Sequence, residues 1–201
     1  MSQIDSSEAS SPVVVMTTRE DHRIAWLAAL AIVIHVAEAA IPSPMPGVKP
    51  GLANVITVAV FIEFGWRMAL WVSLLRVLVG SLVIGSFLTP GFVLSLTGAG
   101  LSMAVLGLIH LLPGVASGST RGFGLSPLGI CLLSALGHMA GQFYAAYLFF
   151  IPHPGMLTLL PVLMTLAAVF GLVSGVVTTL LLASLRNRMA NSDEPISAPP
   201  P

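Results

Sequence analysis

The sequence predicts an all-α, polytopic membrane protein: a bundle of six transmembrane helices with both termini in the cytoplasm. Hydrophobic residues make up 56% of its 201 residues and charged residues 8%. That charged fraction is about a third of the share in a soluble domain. The mean hydropathy is +0.97. Apolar stretches fill most of the chain between residues 24 and 185, and basic residues stand in alternate connections between them. Together these observations indicate that lipid is the solvent.

The basic residues predict the orientation of the chain in the membrane. One set lies in the tails and in alternate connections: Arg19, Arg23, Arg67, Arg121, Arg186 and Arg188. The remaining connections contain a single basic residue, Lys49. Because cytoplasmic connections carry the excess of Lys and Arg, both termini are expected in the cytoplasm of a multi-pass inner-membrane protein.

The apolar stretches predict the helices in chain order. The expected spans are roughly 24–41, 51–65, 67–88, 91–112, 127–150 and 156–185, separated by connections rich in Pro and Gly. A helix needs about 20 residues to cross the hydrocarbon core. The second stretch is shorter, so it is tilted, extended back into the preceding loop, or shielded by its neighbours. The last is long enough to tilt or to project from the membrane.

Polar tails flank the predicted transmembrane domain, 24–188. Residues 1–23 are rich in serine and contain no apolar segment of the signal-peptide type, so the first span is expected to be retained. Residues 189–201 end in Ala-Pro-Pro-Pro, a composition that predicts a disordered tail.

Several classes of function are disfavoured by composition. The zero net charge argues against a nucleic-acid partner. The single cysteine, Cys131, excludes an internal disulfide and a cysteine metal cluster. The aspartates Asp5, Asp21 and Asp193 all lie in the polar ends, and no phosphate-binding loop or nucleophile elbow is present. We therefore expect no catalytic residue, no metal and no cofactor.

Ionisable residues inside the spans are the candidates for function, because they are costly there and normally face the bundle interior. They are Glu38, Arg76, His110 and His138, and Gln142 lies one turn after His138. A structural role remains open for each pair. Arg76 and Glu38 are either binding residues or an ion pair that stiffens the bundle. His138 and Gln142 are either binding residues or an interhelical hydrogen-bonding pair.

The connection at residues 42–50 precedes the second helix and contains the only lysine, Lys49. A cation beside a helix N-terminus favours an anion, although Lys49 would equally reach lipid headgroups. The expected binding site has an outer rim and a deeper part. Lys49 and Asn54 form the rim, and Arg76, His138 and Gln142 lie deeper, with Arg76 holding the charge of the solute or pairing with Glu38.

Pairs of small residues at four-residue spacing indicate close contacts between helices. They are Ala25 and Ala29, Gly137 and Gly141, and Gly171 and Gly175. Packing within one bundle explains any of these pairs. Ala25 and Ala29 lie near the cytoplasmic end of the first helix, where a partner subunit would have access to them.

The runs at 46–54 (PGVKPGLAN), 75–81 (LRVLVGS) and 137–142 (GHMAGQ) resemble the Gx transporter family, also catalogued as heptaprenyl diphosphate synthase component I. The resemblance covers roughly residues 25–185, with the order and spacing of the runs kept. That family is grouped with the substrate-binding S components of energy-coupling-factor (ECF) transporters, which are bundles of six helices.

The resemblance implies a membrane-embedded subunit that binds a small anionic or amphipathic solute. In S components, an Ala-x-x-x-Ala pattern on the first helix meets the transmembrane coupling subunit of a complex driven by ATP-binding-cassette ATPases. Ala25 and Ala29 match that pattern. The alternative is a non-catalytic membrane subunit of a polyprenyl diphosphate and quinone system, or of electron transfer from quinols to flavins. A self-sufficient transporter is a third interpretation.

Overall fold

Helices form almost all of the chain that this computed structural model describes, residues 19–40, 52–111 and 125–192. The helices are α1 (Arg19–Ala40), α2 (Leu52–Phe64), α3 (Trp66–Ile84), α4 (Pro90–Leu111), α5 (Pro127–Ala145) and α6 (Leu160–Ser192). A π-helical segment, Ala146–Phe150, extends α5, and a 3-10 helix, Pro154–Leu159, leads into α6. The described ranges contain no strand, so the all-α prediction is confirmed.

Four of these elements are long and apolar enough to cross a bilayer. They are Trp66–Ile84, Pro90–Leu111, Pro127–Phe150 and Pro154–Ser184. The apolar parts of α1 and α2, Ile24–Ala37 and Asn54–Phe64, are shorter. The chain is therefore a membrane protein. Six crossings with both ends in the cytoplasm stay a prediction, and α6 runs to Ser192, beyond the expected limit of the transmembrane domain at residue 188.

The short helix α2 lies at the centre of the bundle. Every residue from Val55 to Ile62 is buried, and α2 contacts α1, α3, α5 and α6. A helix that is apolar on all sides suits either a protein core or contact with lipid, and α2 is enclosed by protein. Its 13 residues span about 20 Å, less than the roughly 30 Å of a hydrocarbon core. Of the three explanations for the short second span, shielding by neighbours is the one the structure supports.

A single residue joins α2 to α3. Gly65 has a φ of 87°, a left-handed conformation that glycine adopts without a Cβ penalty. Its amide donates to the carbonyl of Phe61 at 3.0 Å, which ends α2 as the chain reverses. Arg67, at the expected boundary between the second and third spans, is an exposed residue in the first turn of α3.

Glycines set close contacts among α4, α5 and α6. A Cβ on Gly141 of α5 would lie 2.5 Å from the Thr97 carbonyl oxygen of α4, and one on Gly137 would lie 3.5 Å from that of Leu101. A Cβ on Gly175 of α6 would lie 2.7 Å from the Leu128 Cα of α5. The two glycine pairs therefore serve packing within the bundle. Because later positions on α5 meet earlier ones on α4, these two helices are antiparallel.

The bundle has two halves along its axis. The distal half contains the C-terminal parts of α1, α3 and α5 and the N-terminal part of α4. The proximal half contains their opposite ends and α2. The main hydrophobic core belongs to the proximal half, where α2 packs against buried residues such as Val72, Leu106 and Ile130. A smaller apolar cluster of Val77, Phe92 and Ala99 lies in the distal half.

Candidate functional site

A chain of hydrogen bonds ties the beginning of α2 to the middle of the bundle. Asn54 Nδ2 donates to Ser134 Oγ of α5 at 2.9 Å, and Ser134 Oγ lies 2.7 Å from Ser102 Oγ of α4. Ser102 lies near the middle of α4, so α2 begins at about half the depth of the bundle. Seven residues later, the Phe61 ring meets His110 near the end of α4, with centroids 6.5 Å apart. Residues 52–64 therefore do not fill the distal half.

Arg76 is a buried cation of the distal half. Only 5% of its surface is exposed, and buried Ser73 and Gly80 lie on the same face of α3. A charge inside a membrane protein is costly unless polar groups or an opposite charge surround it. The other described arginine of α3, Arg67, is exposed. The two positions on one helix thus differ sharply in their surroundings.

His138 and Gln142 of α5 occupy space that Gly98 of α4 leaves open. A Cβ on Gly98 would lie 2.9 Å from His138 Cε1 and 2.8 Å from Gln142 Cγ. The imidazole also hydrogen-bonds with the Gly98 backbone. His138 Nδ1 is buried and makes no hydrogen bond with the described part of the protein. Both polar side chains therefore pack against Gly98, where α4 and α5 are in close contact.

The structure brings Arg76 and His138 together. The guanidinium lies close enough to the imidazole to act on it electrostatically, although the two residues come from different helices. We call Arg76, His138 and Gln142 the distal polar cluster. It provides a cation and several hydrogen-bond donors in one low-dielectric region, a set that suits a carboxylate or a phosphate.

Asn54 does not lie where the sequence placed it. It was expected at the outer rim, yet it bonds to Ser134, one turn of α5 further from the distal end than His138. The physical reason is the short length of α2, which starts inside the bundle. Asn54 therefore lies below the distal polar cluster, in a separate layer with Ser134 and Ser102.

Two expected site residues fall outside what the structure describes. Lys49 lies in the segment 41–51, between the described ranges, and of Glu38 only the backbone in α1 is described. The proposed roles of both remain predictions. An ion pair between Arg76 and Glu38 likewise stays open.

Sequence reasoning missed three contributors to this region. Gly98 opens the space for His138 and Gln142, and Ser102 and Ser134 hold α2 at half depth. One signal was present in the sequence: Ser134, His138 and Gln142 follow at successive four-residue steps on α5, which places three polar residues on neighbouring turns.

The expected docking residues lie on an exposed face of α1. Ala25 and Ala29 are both exposed, as are Trp26 at 79% and Val33 at 64%. His35 lies about 80–120° around the helix from the two alanines, on the side that carries buried Ala28 and Ala31. A partner would therefore meet the outer face of α1 without touching the distal polar cluster.

A separate apolar cleft of about 280 Å³ lies between α3 and α4. Its lining residues are Trp66, Leu70, Ser73, Leu74, Val77, Leu96, Ala99, Gly100, Met103 and Ala104. Gly98 lies two residues from Gly100 and so faces about 160° away. The backbone of α4 thus separates the cleft from His138 and Gln142. Within the described ranges no group of three metal-ligating side chains comes together.

Comparison with known proteins gives a family for the chain. No curated protein and no solved structure matches it. A family model described as heptaprenyl diphosphate synthase component I matches residues 27–181, which include α2 to α5, most of α1 and α6, and all three residues of the distal polar cluster. The chain belongs to the heptaprenyl diphosphate synthase component I family.

Proposed function

We propose that the chain is a membrane-embedded substrate-binding subunit, similar to the S components of ECF transporters, that takes up a small anionic or amphipathic solute. The observation that carries this proposal is the burial of Arg76 beside His138. Charged residues are 8% of the chain, and this arginine is 5% exposed in the half of the bundle that α2 leaves unfilled.

The distal polar cluster supports an anion because of its chemistry. A guanidinium presents several N–H donors in a fixed geometry that matches carboxylate and phosphate oxygens. Gln142 would add oriented hydrogen bonds to the bound solute. Lys49, on the predicted outer side, would attract the anion, and Asn54 would contribute from the layer below. Glu38 would pair with Arg76 when the site is empty.

The solute can be identified by native mass spectrometry of small molecules retained by the purified protein. Binding of the retained compound to Arg76→Gln is then compared with binding to Arg67→Gln, an exposed arginine on the same helix. We expect Arg76→Gln to weaken binding by about tenfold to a hundredfold. Arg67→Gln should leave it within about twofold, because an exposed charge is screened.

Equal affinities for the two variants would overturn the proposed site and leave Arg76 a structural residue. A loss of folding in Arg76→Gln is recognised by its thermal unfolding in detergent. In that case Arg76→Lys, which keeps the charge but not the planar donor geometry, replaces it in the comparison.

The exposed face of α1 is the proposed docking surface for an ECF-type transmembrane coupling subunit that works with ATP-binding-cassette ATPases. Replacing Ala25 or Ala29 with Leu should abolish co-purification with that subunit while the isolated protein stays folded, because both positions are exposed. Ala183→Leu adds the same bulk to an exposed position of α6 and should leave the complex intact. Equal losses from all three variants would remove α1 as the docking surface.

The second candidate function is a non-catalytic membrane subunit of a polyprenyl diphosphate and quinone system, or of a quinol–flavin electron-transfer system. The family name favours it, since a component I implies a partner component. Affinity purification from native membranes distinguishes the two proposals. A co-purifying ATP-binding-cassette ATPase supports transport, and a prenyl synthase or a flavoprotein supports the second function.

A further inference from the structure

Gly80 of α3 leaves space for an imidazole of α1. A Cβ on Gly80 would lie 2.8 Å from His35 Cδ2 and 3.7 Å from its Nε2. A contact of 2.8 Å is closer than real Cβ atoms approach, so any larger residue at position 80 would displace the ring. Gly80 itself is buried. The absence of a side chain there therefore fixes where the His35 imidazole packs.

This position brings His35 to the distal polar cluster. Gly80 lies one turn after Arg76 on the same face of α3, where residues four apart are neighbours. His35 also acts electrostatically on His138. An imidazole of α1 therefore packs against α3 one turn after Arg76, within electrostatic range of the imidazole of α5.

We infer that His35 is a further anion-binding residue of the distal polar cluster and that Gly80 is the positioning residue that admits it. This inference rests on the proposed function. The ligand chemistry is a phosphate or carboxylate group, whose oxygens would accept hydrogen bonds from the imidazole of His35, the guanidinium of Arg76 and the amide of Gln142. The site is thereby completed by three helices.

The same geometry gives α1 two roles. His35 lies on the inner side of the helix and Ala25 and Ala29 on the outer side. Ligand at His35 would therefore contact the helix on whose outer face a partner is proposed to dock. A ligand that binds a residue of α1 more tightly in one position of the helix than in another would shift α1 toward that position.

A double-mutant cycle tests the inference on the full-length protein in a neutral detergent, with inorganic phosphate and dodecyl phosphate as probes. The variants are His35→Ala, Gly80→Ala and the combination, and binding is measured by calorimetry. Gly80→Ala should weaken binding by about fivefold or more in the parent protein, because the new methyl group displaces the ring. In the His35→Ala background it should change binding by less than about twofold, because the methyl group then has room.

Two controls separate binding from packing. Gly100→Ala adds a methyl group to another helix position where no atom lies within 4 Å, and it should leave binding unchanged. In a ¹⁵N-histidine NMR spectrum, phosphate should shift the His35 resonance, a response that a purely structural imidazole would not give. Alanine also favours helix formation over glycine, so Gly80→Ala is expected to fold.

The outcomes distinguish this inference from the proposed function. Equal losses from Gly80→Ala with and without His35, or no loss at all, would overturn the role of His35 while a loss in Arg76→Gln still supported the anion site. If neither probe binds the parent protein, recognition of a phosphate by His35 is overturned, and the Arg76→Gln comparison with the retained compound alone decides the proposed function. Binding of both probes indicates recognition of the free anion, and binding of dodecyl phosphate alone indicates an amphiphile headgroup.

Discussion

The proximal and distal halves of the bundle are made of the same helices but differ in what lies at their centre. In the proximal half the centre is α2, and around it pack buried side chains of all the other helices, among them Ala31, Val72 and Leu106. In the distal half α2 is absent, the apolar cluster shrinks to Val77, Phe92 and Ala99, and a buried arginine stands near two histidines. A single short helix explains the contrast.

The difference teaches how one short helix separates an apolar core from buried polar groups. A transmembrane helix of full length would extend the apolar core through both halves and leave no place for polar groups. Asn54, in the first turn of α2, bonds to Ser134, which in turn bonds to Ser102. These bonds hold the start of α2 at half depth, so the main apolar core is confined to one end. The apolar core then lies in the proximal half, and the buried polar groups of α3 and α5 lie in the distal half.

The largest expected effect is in cysteine labelling, which shows which half of the bundle faces the outside of the cell. A given cysteine is either labelled on intact cells or it is not. If the distal half faces outward, a cysteine at Leu88, which is 76% exposed in the α3–α4 connection, reacts with an impermeant maleimide on intact cells. A cysteine at exposed Glu63 reacts only after permeabilisation. Both are placed in a Cys131→Ser background. The reverse pattern would put the distal polar cluster on the cytoplasmic side and end the uptake proposal.

Leu106→Ala tests whether the proximal half is structural. Leu106 is fully buried, so removing its methyl groups should lower the free energy of unfolding by about 2–5 kcal/mol. Leu108→Ala, on the same helix but 65% exposed, should cost far less. Thermal unfolding in detergent measures both. Anion affinity should stay unchanged in folded Leu106→Ala, and a matching loss of affinity would show that the two halves are not separate.

The helices of the fold were predictable because a helix that lies in lipid needs a long apolar run, which is easy to recognise in a sequence. Apolar runs interrupted by Pro and Gly predict each helix, and α3, α4 and α5 begin and end within a few residues of the expected limits. The burial of α2 was one of three possibilities, since the shortness of the run alone does not say whether neighbours enclose it. The contacts of α2 with four other helices show that neighbours do enclose it.

The candidate site was predictable in part. The predictable residues are those whose side chains cost the most free energy to place inside a membrane. Arg76 and His138 stand out in the sequence because charge and imidazole are expensive in a membrane. Ser102, Ser134 and Gly98 do not, because serine and glycine are common in transmembrane helices at little cost. Their roles arise from the register between α4 and α5, which a single sequence does not specify.

Ser134→Ala should have an intermediate effect, because it removes the link between Asn54 and Ser102. The loss should be about 0.6–2 kcal/mol of stability, as for hydrogen bonds between membrane helices. Thr165→Ala is the matched control, since the Thr165 hydroxyl donates at 2.8 Å only to the Pro161 carbonyl of its own helix. If Asn54 belongs to the binding site, anion affinity falls as well. A change in stability alone would make this layer purely structural.

The smallest expected effect compares the two sides of α4, which carry Gly98 and Gly100. A Cβ on Gly100 would meet no atom within 4 Å, so Gly100→Ala should raise the free energy of unfolding by up to about 1 kcal/mol through helix propensity. Gly98→Ala gains the same propensity, yet its methyl group would lie 2.8 Å from Gln142 Cγ and 2.9 Å from His138 Cε1. The second variant should therefore lose both stability and anion affinity, and the first should lose neither. Equal behaviour of the two variants would mean that His138 and Gln142 move aside freely, and a site that needs fixed donors could not be built on them.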